Sequence, residues 1–284
     1  MKSVFIFISL LIMLCPAFSQ SRMEHYLDSL GLVNVGRMDP TLKIDLMYTR
    51  ADNFTGKVLY EDLQEAYLHP EAAKALLQAQ KRLKELYPGY SLIIYDAARP
   101  MSVQQKMWNV VKGTSQNIYV SNPARGGGLH NYGLAVDVSI ADEKGNPLPM
   151  GTKVDHLGKE AHIDTEAAMV QQGIITAQER KNRLLLRRVM TDAGYKPLRS
   201  EWWHFNFRSR EEAKRNYKVI IVLSYRIIRH FSFTESHQFT ELCSYTESRV
   251  PIPHPICDRE GRSNPARPIL KATICHSRKP PPDS

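Results

Sequence analysis

Two short segments some seventy residues apart, Gly128-Leu129-His130-Asn131-Tyr132-Gly133-Leu134-Ala135-Val136-Asp137 and Glu201-Trp202-Trp203-His204, carry two imidazoles and two carboxylates among small and aromatic residues. If both segments serve one site, the chain must close on itself over that separation, which is the first constraint on its fold. The donor set is one that a hydrolytic zinc ion takes: three protein ligands, a fourth position for water, and a nearby carboxylate as general base. On this reading His130, Asp137 and His204 hold the metal and Glu201 works the water. The competing reading makes each histidine an ordinary surface or core residue, and it leaves the joint occurrence of His-x6-Asp and Glu-x-x-His without a cause.

Cysteine usage narrows the chemistry. Cys15 lies near the N-terminus, while Cys243, Cys257 and Cys275 lie near the C-terminus, so the body between them has none. A disulfide scaffold and a thiolate zinc site are thereby excluded for the body, and nitrogen and oxygen must hold any zinc. Met1-Lys2-Ser3, an apolar run from Val4 to Leu14, and Ala17-Phe18-Ser19 before Gln20 match the three zones of a secretory signal. Residues 1–19 are therefore expected to be removed, with export across an inner membrane to the periplasm and no stable membrane insertion afterwards. Leu14 is too bulky for a lipoprotein cleavage box before Cys15; an uncleaved anchor is the alternative, with an apolar run short for a span. The formal charge of +9 is spread along the chain without a basic stripe interleaved by aromatics, so no nucleic-acid partner is expected. A mild basic excess suits an acidic cell-wall polymer and serves solubility equally well.

The remaining 200 or so residues before the C-terminal tail are enough for one domain with an ample core. Pro70-Glu71 opens a helix with Ala73, Leu76, Leu77, Leu83 and Leu86 on one side, and Pro88-Gly89 closes it. Ser91 to Tyr95 reads as a buried strand, Asp96 to Pro100 as a loop, and Ser102 with Gln105 as a capping box for a helix reaching Val111. Asn122 to Gly128 is a loop that delivers His130. From Leu134 to Ile140 the chain alternates, with Val136, Val138 and Ile140 on one face and Ala135, Asp137 and Ser139 on the other. Thr176 with Glu179 caps a helix ending at Gly194, and Trp202 to Phe207 reads as the last strand. Residues three apart in a regular strand face opposite sides, so Glu201 is expected before the strand proper, in a bend or bulge near Ser200; otherwise it and His204 cannot share a metal.

These segments resemble the VanX-like D-alanyl-D-alanine dipeptidases, a branch of the zinc D,D-peptidases of the M15 family. The likeness runs from about Leu42 to Tyr217. It includes Ile44-Asp45-Leu46-Met47-Tyr48 with Asn53-Phe54-Thr55-Gly56, Tyr95-Asp96-Ala97-Ala98-Arg99-Pro100, the His130–Asp137 segment, Met150-Gly151-Thr152-Lys153-Val154-Asp155, and Glu201-Trp202-Trp203-His204. The resemblance implies an α+β fold, a single compact domain with a central antiparallel sheet flanked by helices and one zinc ion in a cleft over the sheet. It implies hydrolysis of the small dipeptide D-Ala-D-Ala to two D-alanines, in cell-wall peptide turnover or scavenging. It carries His130, Asp137 and His204 over as zinc ligands and Glu201 as the catalytic base. It adds Arg99 as the stabiliser of the developing oxyanion and Asp155 as the receiver of the substrate's amino group. Asp155 otherwise reads as the cap of a turn after Gly151. Tyr48 is read as a lining residue of the substrate pocket or as a half-buried strand tyrosine. His156 and His162 read as surface or supporting residues. Where relatives carry Ser two residues before the first zinc histidine, this chain has Gly128, so any help that hydroxyl gives to the substrate carboxylate must come from backbone N–H groups or elsewhere.

Two other functions fit the same residues: a D,D-carboxypeptidase or endopeptidase on peptidoglycan stem peptides, and a non-catalytic cell-wall-binding module. After Ile220 the composition turns to Ser, Arg, Pro and His, and residues 221–284 are expected to be a disordered or frameshift-derived tail.

Overall fold

The computed structural model describes residues 20–221. The expectations for the signal (1–19) and for the tail from residue 222 onward lie outside the described residues. In chain order the elements are α1 (Arg22–Ser29), β1 (Val33–Asn34), α2 (Val35–Met38), β2 (Lys43–Ile44), β3 (Tyr67–Leu68), α3 (Pro70–Leu86), β4 (Ser91–Asp96), α4 (Met101–Val111), β5 (Ala135–Ala141), α5 (Glu166–Gln171), α6 (Ala177–Asp192), β6 (Lys196–Leu198), β7 (Glu201–Asn206) and α7 (Arg210–Asn216). No helix among the described residues is long and apolar enough to cross a membrane.

Five strands form the main sheet in the order β2-β4-β5-β7-β6, and β1 pairs with β3 in a separate ribbon. The pairings β4–β5, β5–β7 and β7–β6 are antiparallel, as expected, but β2 runs parallel to β4 at one edge. The sheet is therefore mixed. A parallel pair needs a long crossover, and the stretch between β2 and β4, which includes β3 and α3, supplies it. β5 is the middle strand and every one of its residues is buried. Its Val136, Val138 and Ile140 join the apolar core with Leu76 and Leu83 of α3 and Leu186 and Val189 of α6, the two helices packing on one another.

Polar groups fix the register of helix on sheet. Gln80 of α3 is fully buried: its Oε1 accepts from the Leu92 N–H (2.8 Å) and its Nε2 donates to Ser91 Oγ (2.9 Å), tying the helix to the start of β4. Helix α6 opens with both bonds of the Thr176–Glu179 capping box. Helix α4 does not use Ser102 as its cap. It begins at Met101 behind Pro100, and the Met101 N–H donates to the Ile220 carbonyl (2.9 Å), so a distant backbone oxygen replaces the side-chain cap.

Candidate metal centre and catalytic cleft

Register alone brings two of the expected ligands together. Asp137 of β5 and His204 of β7 are direct cross-strand partners. His130 lies in the 3-10 turn Leu129–Tyr132 immediately before β5, and Gly133 ends that turn at φ 65°, where a Cβ would lie 2.6 Å from Leu32 Cδ2 and 3.0 Å from the His69 nitrogen. The donor atoms then converge: His130 Nε2 is 3.1 Å from His204 Nδ1 and 3.3 Å from Asp137 Oδ2, and His204 Nδ1 is 2.9 Å from Asp137 Oδ1. A tetrahedral zinc with ligands at 2.0–2.1 Å places its donors about 3.3 Å apart, close to this triangle.

The protons are set by the other ring nitrogens. His130 Nδ1 donates to the Ala97 carbonyl at 2.7 Å and His204 Nε2 donates to Asn206 Oδ1 at 2.9 Å. That leaves His130 Nε2 and His204 Nδ1 as lone-pair donors facing each other and a carboxylate, an arrangement that a cation resolves and that repels without one. Burial alone would raise the Asp137 carboxyl, but His130 and His204 acting as cations outweigh it and hold the group well below the ordinary carboxylate range; a metal ion held by their neutral forms would supply the same positive charge. Among the described residues this is the one cluster of three His, Cys, Asp or Glu side chains able to hold a metal, and its chemistry fits zinc.

Glu201 reaches the same place by an irregularity. It is the first residue of β7, not a residue before the strand as the sequence suggested. The distortion comes after it: Leu198 pairs with Glu201 and Pro197 with Phe205, so Trp202, Trp203 and His204 bulge against no residues of β6. The bulge breaks the two-residue alternation, and Glu201 Oε2 comes within 3.9 Å of His204 Nδ1. Burial pushes the Glu201 carboxyl up to about 8, with Asp137 and Asp155 adding to the rise and His204 and Arg99 opposing it.

Arg99 occupies the facing wall, almost fully buried. Its Nε and Nη2 donate to Asp96 Oδ2, Nη1 donates to Gln104 Oε1 at 3.0 Å, and Nη2 stands 3.7 Å from Asp137 Oδ2. Of the five guanidinium N–H groups, one on each Nη remains uncommitted. Asp96 is itself completely buried and also accepts from Tyr60 (2.6 Å). It reaches its place through a second bulge, at Tyr95 of β4, that sets Asp96 opposite Asp137. Sequence reasoning singled out Arg99 but missed Asp96, Gln104 and Asn206, which hold the functional side chains; the i, i+3 spacing of Asp96 and Arg99 was the available signal.

Asp155 and Tyr48 close the cleft on another side. Tyr48 is buried, in the 3-10 turn Met47–Thr49 rather than a strand, and its hydroxyl donates to Asp155 Oδ2 at 2.5 Å. Asp155 caps no backbone N–H among the described residues. Its loop is clamped instead by the buried Arg183, whose Nε and Nη2 donate to the carbonyls of Met150 (2.6 Å) and Glu160 (3.0 Å), and by Trp202, whose Nε1 donates to Thr152 Oγ1. Burial raises the Asp155 carboxyl to about 7, Asp137 and Asp96 contributing in the same sense. His156 pairs with Glu160 at the surface and His162 with the Tyr119 hydroxyl, so neither joins the three donors. Tyr48, Arg99, Asp155, Glu201 and the three donors line one cavity of about 350 Å³, at the small end of ligand pockets.

Three convergent donors, a buried carboxylate beside them and an arginine on the facing wall are the parts of a metal-dependent peptide hydrolase. The chain belongs to the peptidase M15 family of metallopeptidases: the family profile described as D-ala-D-ala dipeptidase matches residues 28–222. It is 34% identical over 178 residues to the D-alanyl-D-alanine dipeptidase of Escherichia coli (strain K12), covering 63% of this chain and 85% of that protein. It is 26% identical over 176 residues to the protein of the same name in Synechocystis sp. (strain ATCC 27184 / PCC 6803 / Kazusa), covering 52% and 71%. A solved LdcB LD-carboxypeptidase aligns with a TM-score of 0.34 at 21% identity over 55% of this chain and 65% of that one.

Proposed function

We propose that the protein is a zinc-dependent dipeptidase that hydrolyses D-Ala-D-Ala to two D-alanines. The observation that carries this reading is the Tyr48–Asp155 pair in the small cleft: a carboxylate held beside the centre suits a free ammonium and ends the site on the amino side. The names of the relatives supply the dipeptide and its stereochemistry. When bound, zinc supplies Lewis acidity, lowering the pKa of a water to about 7 and polarising the scissile carbonyl.

The chain's own residues do the rest. Glu201, whose carboxyl a dication at the three donors would lower from about 8 so that it is ionised, takes the proton of the attacking water and returns it to the leaving amine. Arg99, locked on Asp96 and Gln104, offers its two uncommitted N–H groups to the charge that develops on the carbonyl oxygen; a single preorganised donor of this kind contributes about 3 kcal/mol. Asp155 receives the amino terminus. A D,D-carboxypeptidase needs that side open, so Asp155 speaks against it, and a binding module needs neither Glu201 nor Arg99. Comparing D-Ala-D-Ala with its N-acetyl form, with and without chelator, tests the reading. Chelator-sensitive cleavage of the free dipeptide alone is expected; preferential cleavage of the acetylated form would replace it with the carboxypeptidase.

The N-terminal pattern of charged, apolar and small residues supports export, and the periplasm is the proposed compartment. There the enzyme meets dipeptide released from the wall, which favours peptidoglycan turnover or scavenging. Fractionation that recovers the protein in the cytoplasm would remove this part of the proposal.

A further inference from the structure

Arg99 and His130 stand on different segments, yet the proposed chemistry needs the guanidinium and the metal centre at one fixed offset. Two bonds already join the segments: His130 Nδ1 donates to the Ala97 carbonyl (2.7 Å), and the Arg99 N–H donates to the His130 carbonyl (3.0 Å). The Arg99 carbonyl needs a partner of its own. The first amides of α4 reach back only to Pro100, with the N–H groups of Val103 and Gln104 donating to its carbonyl, so the helix cannot supply one.

Asn131, next to His130, is that partner. It is fully buried, and a carboxamide taken out of water destabilises the fold unless its bonds are made. Its Nδ2 donates to the Arg99 carbonyl at 2.7 Å, and its Oδ1 accepts from the Gly128 N–H at 2.8 Å. Those two partners fix which end of the amide is nitrogen, since a carbonyl needs a donor and an N–H needs an acceptor. Both polar groups of the Arg99 main chain are therefore bonded to the turn that carries His130. The neighbouring chain leaves room for this: Gly127 sits at φ 65°, and a Cβ there would run into Asn131 Oδ1. Asn131 does not line the cavity, so it meets no substrate atom directly.

We propose that Asn131 is a positioning residue for the reaction: by clasping the Arg99 carbonyl it locks the arginine segment onto the His130 turn and sets the offset between guanidinium and metal centre. The inference rests on the role given to Arg99 in the proposed function. Without the clasp the segment is free to shift, and a misplacement of about 1 Å at a catalytic group costs on the order of a hundredfold. In the full zinc-loaded protein, Asn131→Ala and Asn131→Leu both lower kcat for D-Ala-D-Ala about tenfold or more, while KM stays within about twofold. KM holds because Asp155 and the rest of the cleft wall are untouched.

Two further readouts separate positioning from a structural role. A phosphinate analogue of the dipeptide carries an anionic oxygen where the oxyanion forms, so its Ki rises by the factor by which kcat/KM falls. Zinc affinity and the d–d spectrum of cobalt-substituted protein stay as in wild type, because the His130 ring keeps the Ala97 carbonyl and Asp137 keeps its register with His204. Leucine restores the volume of Asn131 but not its bonds; where Asn131→Ala does not fold, Asn131→Leu alone decides. Unchanged kcat in both variants, recovery in Asn131→Leu, a Ki that does not follow kcat/KM, or a loss of zinc affinity that matches the loss of kcat would each overturn the proposal. Wild-type protein that neither cleaves D-Ala-D-Ala nor binds the analogue overturns the dipeptidase reading and this inference together; any of the former results with an active wild type overturns the inference alone.

Discussion

Asp155 is the single non-glycine residue with positive φ (64°) among the described residues, a conformation that costs an L-residue on the order of 1–2 kcal/mol. The loop that holds it there also holds its carboxyl out of water, which is why the group rises to about 7. Below that pH it is increasingly protonated and neutral, and a neutral carboxyl pairs poorly with an ammonium. KM for D-Ala-D-Ala is therefore expected to rise as pH falls through about 7 and to level off above it. A dication beside Asp137 offsets that neighbour's share of the rise but not the burial, so the limb in zinc-loaded protein falls at or below 7. Tyr48→Phe removes a hydrogen bond that favours the ionised form and moves the limb to higher pH; Asp155→Asn binds weakly at every pH. Profiles of kcat/KM for the three proteins decide it, and a limb that does not move in Tyr48→Phe would sink the assignment. His130, Asp137 and His204, which the fold brings together as a group able to hold a metal, could be singled out in the sequence because few residue types can present a lone pair to a metal ion. Asp96, Gln104 and Asn206 were not, since each matters only through the partner that folding gives it.

Elements place those residues by exceptions to regularity. Helix α6 was legible from Thr176 and Glu179 because a capping box is a local device, complete within one turn. The start of α4 was not, because its cap comes from Ile220, far along the chain. The parallel edge of β2 was hidden for the same reason: two residues carry no periodicity, and pairing direction depends on the crossover. The need for a distortion near Glu201 was legible from the spacing to His204, but its position inside β7 depended on how β6 ends. Gly133 is the element-scale counterpart, turning the chain from the His130 turn into β5 at φ 65°. Gly133→Ala adds the cost of a left-handed non-glycine residue to a clash with the His69 backbone, together about 2 kcal/mol or more. The expected loss in Tm is about 5 °C or more for a domain of this size, with weaker zinc binding because His130 shifts. Calorimetry and zinc titration measure both, and a Tm within a degree of wild type would show that the turn can adopt another conformation.

At the scale of the molecule, the question is where the catalytic body ends. The Ile220 N–H donates to the Asn131 carbonyl (2.8 Å), next to His130 of the candidate metal centre, and the Ile220 carbonyl accepts from Met101 at the head of α4. The Tyr26 hydroxyl of α1 then donates to the Ile221 carbonyl (2.6 Å). Ile220 itself is 1% exposed and Ile221 is 55% exposed, so the core closes between the two. These bonds tie both ends of the described chain to the segment that carries the first ligand. Stopping the chain before Ile220 should therefore weaken zinc binding as well as stability, whereas stopping it after Ile221 should leave both intact. Protein spanning residues 20–221 is expected to match the full chain in zinc affinity and in kcat/KM for D-Ala-D-Ala. Protein ending at Lys218 is expected to lose affinity for the metal, since the Asn131 carbonyl and the α4 N-terminus lose their partners together. Equal zinc affinity in all three would show that the Ile220 bonds only decorate the domain, and a defect in the 20–221 protein would show that residues beyond 221 complete it.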